Sequence, residues 1–376
     1  MVFEDIISFH QLQNLAKTKN LHLSCKDNLA LLSYRKGKNV DKDFKDATIR
    51  HATGLVFDIN DNCKIVCPSI PKSLEIDMPD FKTETIDLLN DITTPQYLKN
   101  QLQAFINDDT VRTEQLVDGT LIRVWSYNNE WHVSTNQSID AYQAFWSSPD
   151  KKSFGQLFEE TGEMLGYKFQ DCDKHDLVFF FVIQHPEISS TVVFQRPQIY
   201  HIATFKNINS FTEIDFDLKT IYPECNIKKP ELYTPNDGLF LYHYKPGWIF
   251  VHTKCFVRVK LLSPRYLYFK MVKGNQPTIQ LRLIELIALT EMHNNDQIYI
   301  NNFFDCYPHT EMKNLFHELK VKIYQFINLC SSQYYRSTHP VLLDYKMNKQ
   351  TNETLYRFLL RFYNVADIYK FINEHV

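Results

Sequence analysis

The sequence predicts an α+β fold: a body of antiparallel β-sheets over residues 1–271, followed by an all-helical domain over 272–376. Three observations carry this expectation. Between about 21 and 270, short β-branched and aromatic runs recur between turn signals. After about 270 strand signals nearly vanish, and apolar residues recur at helical spacing. Between the two textures lies VKGNQPT, 272–278, with a glycine and a proline. A chain of 376 residues also suits two domains.

The elements follow in order. Phe3, Ile6, Ile7, Leu12 and Leu15 are spaced for one helical face, so a short helix is expected over 3–19. Strands are expected in TGLVFDI, CKIVCPSI, TLIRVWSY, EWHVST, LVFFFVI, TVVF, IYHIATF, GLFLYHY, WIFVHT and FVRVKLL. Two hairpins are signalled, one turning at Asn128-Asn129 and one at Pro246-Gly247. Helical interruptions are expected at 81–107 and 138–166. In the tail, 279–293 follows a candidate cap at Thr278, and 310–330 carries Met312, Leu315, Leu319, Ile323, Phe326 and Ile327 on one face. A last helix is expected over 352–373.

Composition narrows the function classes. Lys and Arg number 41 against 44 Asp and Glu, a net charge of −3, so no polycationic field announces a nucleic-acid binder, and any basic groove must be local. Only 9 residues are glycine, about a third of the usual ~7%, which excludes a long glycine cradle for phosphates. Aromatic residues make up 14%. Eight dispersed cysteines and an acidic, amphipathic N-terminus predict free thiols in the cytoplasm or another reducing intracellular compartment. The best apolar run, LVFFFVI, is strand-length, so no membrane span is expected.

The most informative window is TEQLVDGTLI, 113–122, followed by RVWSYNNEWHVSTNQSI. On its own, D-G between apolar runs is an ordinary β-turn. Other segments accompany it in order: HATGLVFDINDNCKIVCPSIPKS upstream, then VFFFVIQHPEISSTVVF, IYHIATFKN, NDGLFLYHY and VRVKLLSPRYL downstream. Together they resemble the motifs of covalent nucleotidyltransferases, and the helical tail resembles the RNA ligase 1 branch, the ATP-dependent RNA ligases of T-even phage type. The resemblance implies a ligase-type nucleotidyltransferase body enclosing a groove. It also implies a lysine nucleophile that attacks the α-phosphate of ATP.

The departures are as informative as the match. Aligning D-G on Asp118 and Gly119 puts the nucleophile position on Leu116, which has no amine, and the neighbouring Gln115 has none either. The family's R-G arginine falls on Thr53, its motif III glutamate on Phe180, and the lysine of the polar turn near Thr135. Lys72, Arg258 and Lys260 keep positive charges, and Asp237 keeps a carboxylate able to reach a Mg²⁺ ion. The resemblance therefore implies a degenerate nucleotide site, with no catalytic residue at Leu116, and a groove filled by side chains such as Leu116 and Phe180. In that case no cofactor is expected; an active ligase would use ATP and Mg²⁺.

Weaker constellations remain. Cys63 and Cys67 have metal-ligand spacing, but Cys172, Cys225 and Cys255 show no matching pair, and buried thiols are the plain alternative. His243 and His252 flank the second expected hairpin, where ordinary cross-strand packing accounts for them. Arg258, Lys260, Arg265 and Lys270, with Lys273 beyond, are interleaved with Phe256, Tyr266, Tyr268 and Phe269. That mixture suits phosphate contact with base stacking, and equally a solvated edge strand. Lys313, Lys320 and Lys322 belong to the polar face of a helix. The expected function is an RNA-ligase-like protein with a degenerate site, retained to bind RNA or protein partners in a larger assembly. The alternatives are an active RNA-repair ligase, using Lys72 or Lys260, and a structural interaction subunit with a filled groove.

Overall fold

The computed structural model describes residues 3, 6–35, 46–75, 92–93, 110–146, 151–188, 194–206, 212–234, 240–241, 246–253, 258–274, 278–292, 297–307, 310–331, 367–370 and 373. It divides into two units, Met1–Leu267 and Tyr268–Val376. The architecture is α+β with almost entirely antiparallel sheets.

The first unit begins with α1 (Phe9–Thr18), capped by Ser8, whose side chain accepts from the Gln11 amide. Leu12 and Ala16 are its buried residues; Ile7, expected on the same face, precedes the helix and is 65% exposed. Strands β1 (Leu21–Lys26) and β2 (Leu29–Tyr34), the short α2 (Ala47–His51), β3 (Thr53–Asp58) and β4 (Lys64–Cys67) follow, and β1-β2-β3-β4 make the first sheet. Next come β5 (Leu74–Glu75), β6 (Ile92–Thr93), β7 (Val111–Gln115), β8 (Thr120–Tyr127), β9 (Glu130–Thr135) and α3 (Phe154–Met164). Apart from β6, the span 81–107 expected to be helical lies outside the described residues. The strands β10 (Leu177–Gln184), β11 (Gln198–Lys206), β12 (Glu213–Ile214), β13 (Leu232–Tyr233), β14 (Phe240–Leu241), β15 (Gly247–His252) and β16 (Arg258–Leu262) complete the β-rich part.

The second sheet has the order β12-β11-β10-β8-β9 and the third β13-β7-β15-β16-β5, whose β16–β5 pair is parallel. Asn128 and Asn129, both with positive φ, turn the β8–β9 hairpin as expected, because only such a twist matches the flanking strands. The second hairpin is not found. β14 pairs with β6, and β15 pairs with β7 and β16, so Pro246-Gly247 does not join β14 to β15. β15 carries a two-sided hydrogen-bond ladder that a simple hairpin would leave open on one edge.

β10 is buried along almost its whole length because both its faces are covered. Phe179, Phe181 and Ile183 pack outward with Phe158 and Leu157 of α3, while Val178 and Phe180 pack inward with Trp125, Phe205, Leu31 and Val56. The other face of the first sheet, with Leu32, Leu55 and Phe57, receives Leu12 and Ala16 of α1.

The second unit is helical. The helix α4 (Pro264–Lys273) begins in the first unit and enters it, followed by α5 (Ile279–Met292), α6 (Ile298–Cys306) and α7 (Thr310–Ser331). Thr278 caps α5, its hydroxyl accepting from the Leu281 amide at 3.3 Å. Leu283, Ile284, Ile287, Phe303, Phe316, Leu319 and Ile323 form the core. Of the helix expected over 352–373, only 367–370 and 373 are described.

Candidate functional site

A groove of about 220 Å³ opens where the three sheets meet. Its wall includes Thr53 from β3, Lys72, Leu116 after β7, Gly119, Val182 from β10, and Arg258 and Lys260 from β16. Residues far apart in sequence are thus brought to one recess.

Each is placed by a local device. Leu32 pairs with Leu55 but Ser33 pairs with Thr53, so Gly54 is the extra residue of a β-bulge. Its φ is +101°, and a Cβ there would stand 2.9 Å from the Asn136 backbone and 3.1 Å from the Arg123 guanidinium. The bulge turns Thr53 away from the α1 face and toward the groove, where its hydroxyl donates to the Ile70 carbonyl at 2.6 Å. The segment carrying Lys72 is tied down by the Lys72 amide on the Arg50 carbonyl at 2.8 Å, and the Lys72 ammonium lies 5.9 Å from the Tyr34 ring centroid. Gly119, with φ +148°, is required by proximity: a Cβ would come within 2.5 Å of the Ile183 carbonyl oxygen. Thr135 closes a polar turn, its hydroxyl accepting from the Gln137 and Ser138 amides at 3.2 and 3.1 Å, which sets Asn136 on the wall.

The nucleophile position is apolar in its surroundings as well as its side chain. Leu116 is 6% exposed and packs with Ile249, Val251 and Leu262. Phe180 does not stand beside it. It is fully buried between the first and second sheets, and the β10 residue on the groove wall is Val182, two positions along the same face. The groove therefore keeps open space, contrary to the filled groove expected from Leu116 and Phe180. Asp118 is not on the wall; its carbonyl accepts from the Gln184 side chain at 2.8 Å, and its buried Oδ2 has no hydrogen-bond partner. Asp237, His243, Phe256 and Cys255 lie outside the described residues.

The basic segment also differs from a solvated edge strand. β16 is interior, between β15 and β5, and Arg258 is 7% exposed. Its guanidinium meets the Glu114 carboxylate at 3.4 Å. Glu114, 4% exposed, also accepts from Arg112 at 2.5 Å, and Arg112 reaches Glu213 at 2.5 Å. Arg265 and Lys270 lie on α4, a helix rather than a strand, with Lys270 in the second unit. Glu114 further borders a second cavity of about 400 Å³, lined by Arg112, Glu213, Asp215, Phe216 and Lys229 among others.

Two buried basic residues near the cavities escaped the sequence motifs. Arg123 of β8 is fully buried. It donates to the carbonyls of Gly54, Pro68 at 3.3 Å and Thr135 at 2.7 Å. Burial presses its guanidinium below the ordinary value, and the neighbouring Cys67 thiol is pushed up to about 11, again by burial. His201 of β11, 4% exposed, bonds Thr204 through Nε2 at 2.8 Å, and burial drives its pKa down to about 4. The six described cysteines are free, and no group of three or more His, Cys, Asp or Glu among the described residues could hold a metal ion. No described helix is long and apolar enough to cross a membrane.

No protein-family model matches the chain. It is 26% identical over 208 residues to the "Immediate-early protein ICP-46 homolog" of Invertebrate iridescent virus 6, covering 48% of this chain and 44% of that protein. The matched region is thus under half of the relative's length. Among solved structures, an archaeal ATP-dependent RNA ligase is similar at a TM-score of 0.43 and 11% identity, over 88% of this chain and 82% of that one. The Naegleria gruberi RNA ligase with PPi is similar at 0.30 and 11%, over 56% of this chain and 66% of that one.

Proposed function

We propose that this is an RNA-ligase-like protein on a nucleotidyltransferase body, whose groove receives the phosphates of RNA without forming a covalent nucleotide intermediate. One observation carries the reading. Thr53, Lys72, Leu116, Gly119, Arg258 and Lys260, taken from separate segments of the motif order, line one recess, with leucine at the position of the nucleophile. A leucine side chain offers no lone pair to phosphorus, so the covalent route is lost, while the Lys72 and Lys260 side chains of the recess still attract phosphate and Arg258 is matched by Glu114. At about 220 Å³ the recess is smaller than the ~300–1,000 Å³ typical of small-molecule sites, which suits a phosphate group better than a whole nucleotide.

Incubation with labelled ATP and Mg²⁺ is expected to give no covalent adduct, whereas RNA binding should weaken as salt rises. An adduct would refute the non-covalent reading. RNA binding that is absent, or indifferent to salt, would favour a protein-partner role. A second reading is kept because Lys72 and Lys260 line the same recess as Leu116. It takes one of them as the nucleophile of an ATP- and metal-dependent ligase. Sealing of a nicked stem-loop that is lost on Lys72→Ala or Lys260→Ala would establish it.

A further inference from the structure

Three arginines at or near the groove, Arg258, Arg112 and Arg123, are of two kinds. Arg258 and Arg112 are each matched to a carboxylate. Arg123 is not: among the described residues its partners are backbone carbonyls, and its Nε has none. Carbonyl dipoles satisfy hydrogen-bond donors, but they leave the net charge in place. Cys67, the thiol beside it, is held neutral by burial and supplies no counter-charge. Arginine keeps its proton even in the protein interior.

The position of this charge relates it to the groove. Arg123 itself is fully buried and lines no wall. Two of the carbonyls it holds belong to neighbours of wall residues: Gly54 follows Thr53, and Thr135 precedes Asn136. The guanidinium thus stands one residue behind the lining at two corners. With little water around it, its field is weakly screened.

We propose that Arg123 is a positioning residue that also sets the electrostatic sign of the groove, a fixed positive charge behind the wall that favours phosphate-class anions without touching them. This rests on the reading that the groove receives phosphate. It adds a source of positive potential beyond the half-buried Lys72 and Lys260 of the wall. It also gives a reason to keep an arginine where burial opposes the charge.

The test separates charge from bracing. Inorganic tripolyphosphate would be titrated into the full chain by calorimetry at low and physiological salt, alongside Arg123→Lys and Arg123→Gln, with thermal melting as a fold check. Lysine keeps the charge and loses the three-way fork; glutamine loses the charge. Arg123→Gln is expected to bind about tenfold more weakly, and Arg123→Lys within about threefold of the native protein. Folded Arg123→Gln that binds as well as native would overturn the proposal, as would equal losses in both variants. If Arg123→Gln does not fold, Arg123→Met takes its place as the uncharged variant under the same criteria, and a tenfold loss in folded Arg123→Lys refutes the charge role. A native protein that does not bind the probe would bring down the phosphate reading and this proposal together.

Discussion

The second and third sheets handle buried charge in opposite ways. In the third sheet, positive groups alternate with carboxylates along a chain from Arg258 through Glu114 and Arg112, reaching Glu213 at the edge of the second sheet. Inside the second sheet, among the described residues, Arg123 meets only carbonyl oxygens, and His201 meets a threonine hydroxyl. In the first case Coulomb attraction between close partners offsets desolvation. In the second, desolvation dominates: His201 gives up its proton, and the arginine, which cannot, remains a net charge. Two sheets facing one groove therefore contribute different things to it, a neutralised network on one side and an uncompensated charge on the other.

The largest effect is expected from breaking the network. Glu114→Gln removes the carboxylate shared by Arg112 and Arg258; the half-buried Arg112 keeps Glu213, but the buried Arg258 loses its carboxylate, at a cost of about 3–5 kcal/mol. Urea unfolding would measure it; a loss below 1 kcal/mol would mean that the network is far less dependent on its shared acid. A pH experiment sharpens the other side. The folded pKa of His201 is about 4, below the 6.5 of an unperturbed histidine, so the unfolded chain binds the extra proton between these values. The stability this gives is complete above about pH 6.5 and is lost as pH falls toward 4, by on the order of 3 kcal/mol. Denaturant melts of native and His201→Phe at pH 7.5 and 4.5 should show a steeper decline for the native chain. The smallest effect concerns geometry. Gly54→Ala places a Cβ 2.9 Å from the Asn136 backbone at a φ of +101° and should cost about 1–3 kcal/mol, read from the melting temperature.

The sequence was legible where a residue's own conformational preference decides structure. Asn128 and Asn129 announce their turn, Thr278 its helix cap, and TGLVFDI, TLIRVWSY, EWHVST, LVFFFVI and IYHIATF their strands, while TVVF lies almost wholly outside the described residues. The groove was legible through motif positions, since Thr53, Lys72, Leu116, Gly119, Arg258 and Lys260 converge. What escaped depends on contacts distant in sequence. Phe180 and Val182 share a face of β10, and only the stacking of the first sheet decides which reaches the groove. The ladder partners of β15 are equally non-local, which is why GLFLYHY and WIFVHT read as a hairpin that is not formed. Arg123 left one overlooked signal. In TLIRVWSY it is the one charged residue, with large apolar residues in both alternating sets, so a strand covered on two faces had to bury a charge.

The bulge at Gly54 has a bearing on which sequence changes the chain can absorb. Strand residues alternate faces, so one extra residue exchanges the two faces for everything before it. Thr53 looks into the groove only because Gly54 is counted in the chain but not in the ladder. Deleting Gly54 would leave Thr53 opposite Ser33 but remove the bend that brings β3 against Asn136, whereas drawing Gly54 into the ladder would return Thr53 to the face packed on α1. Length is therefore under tighter constraint than side-chain identity at this corner: neighbouring positions could vary in chemistry over generations, but an insertion or deletion would redraw the wall.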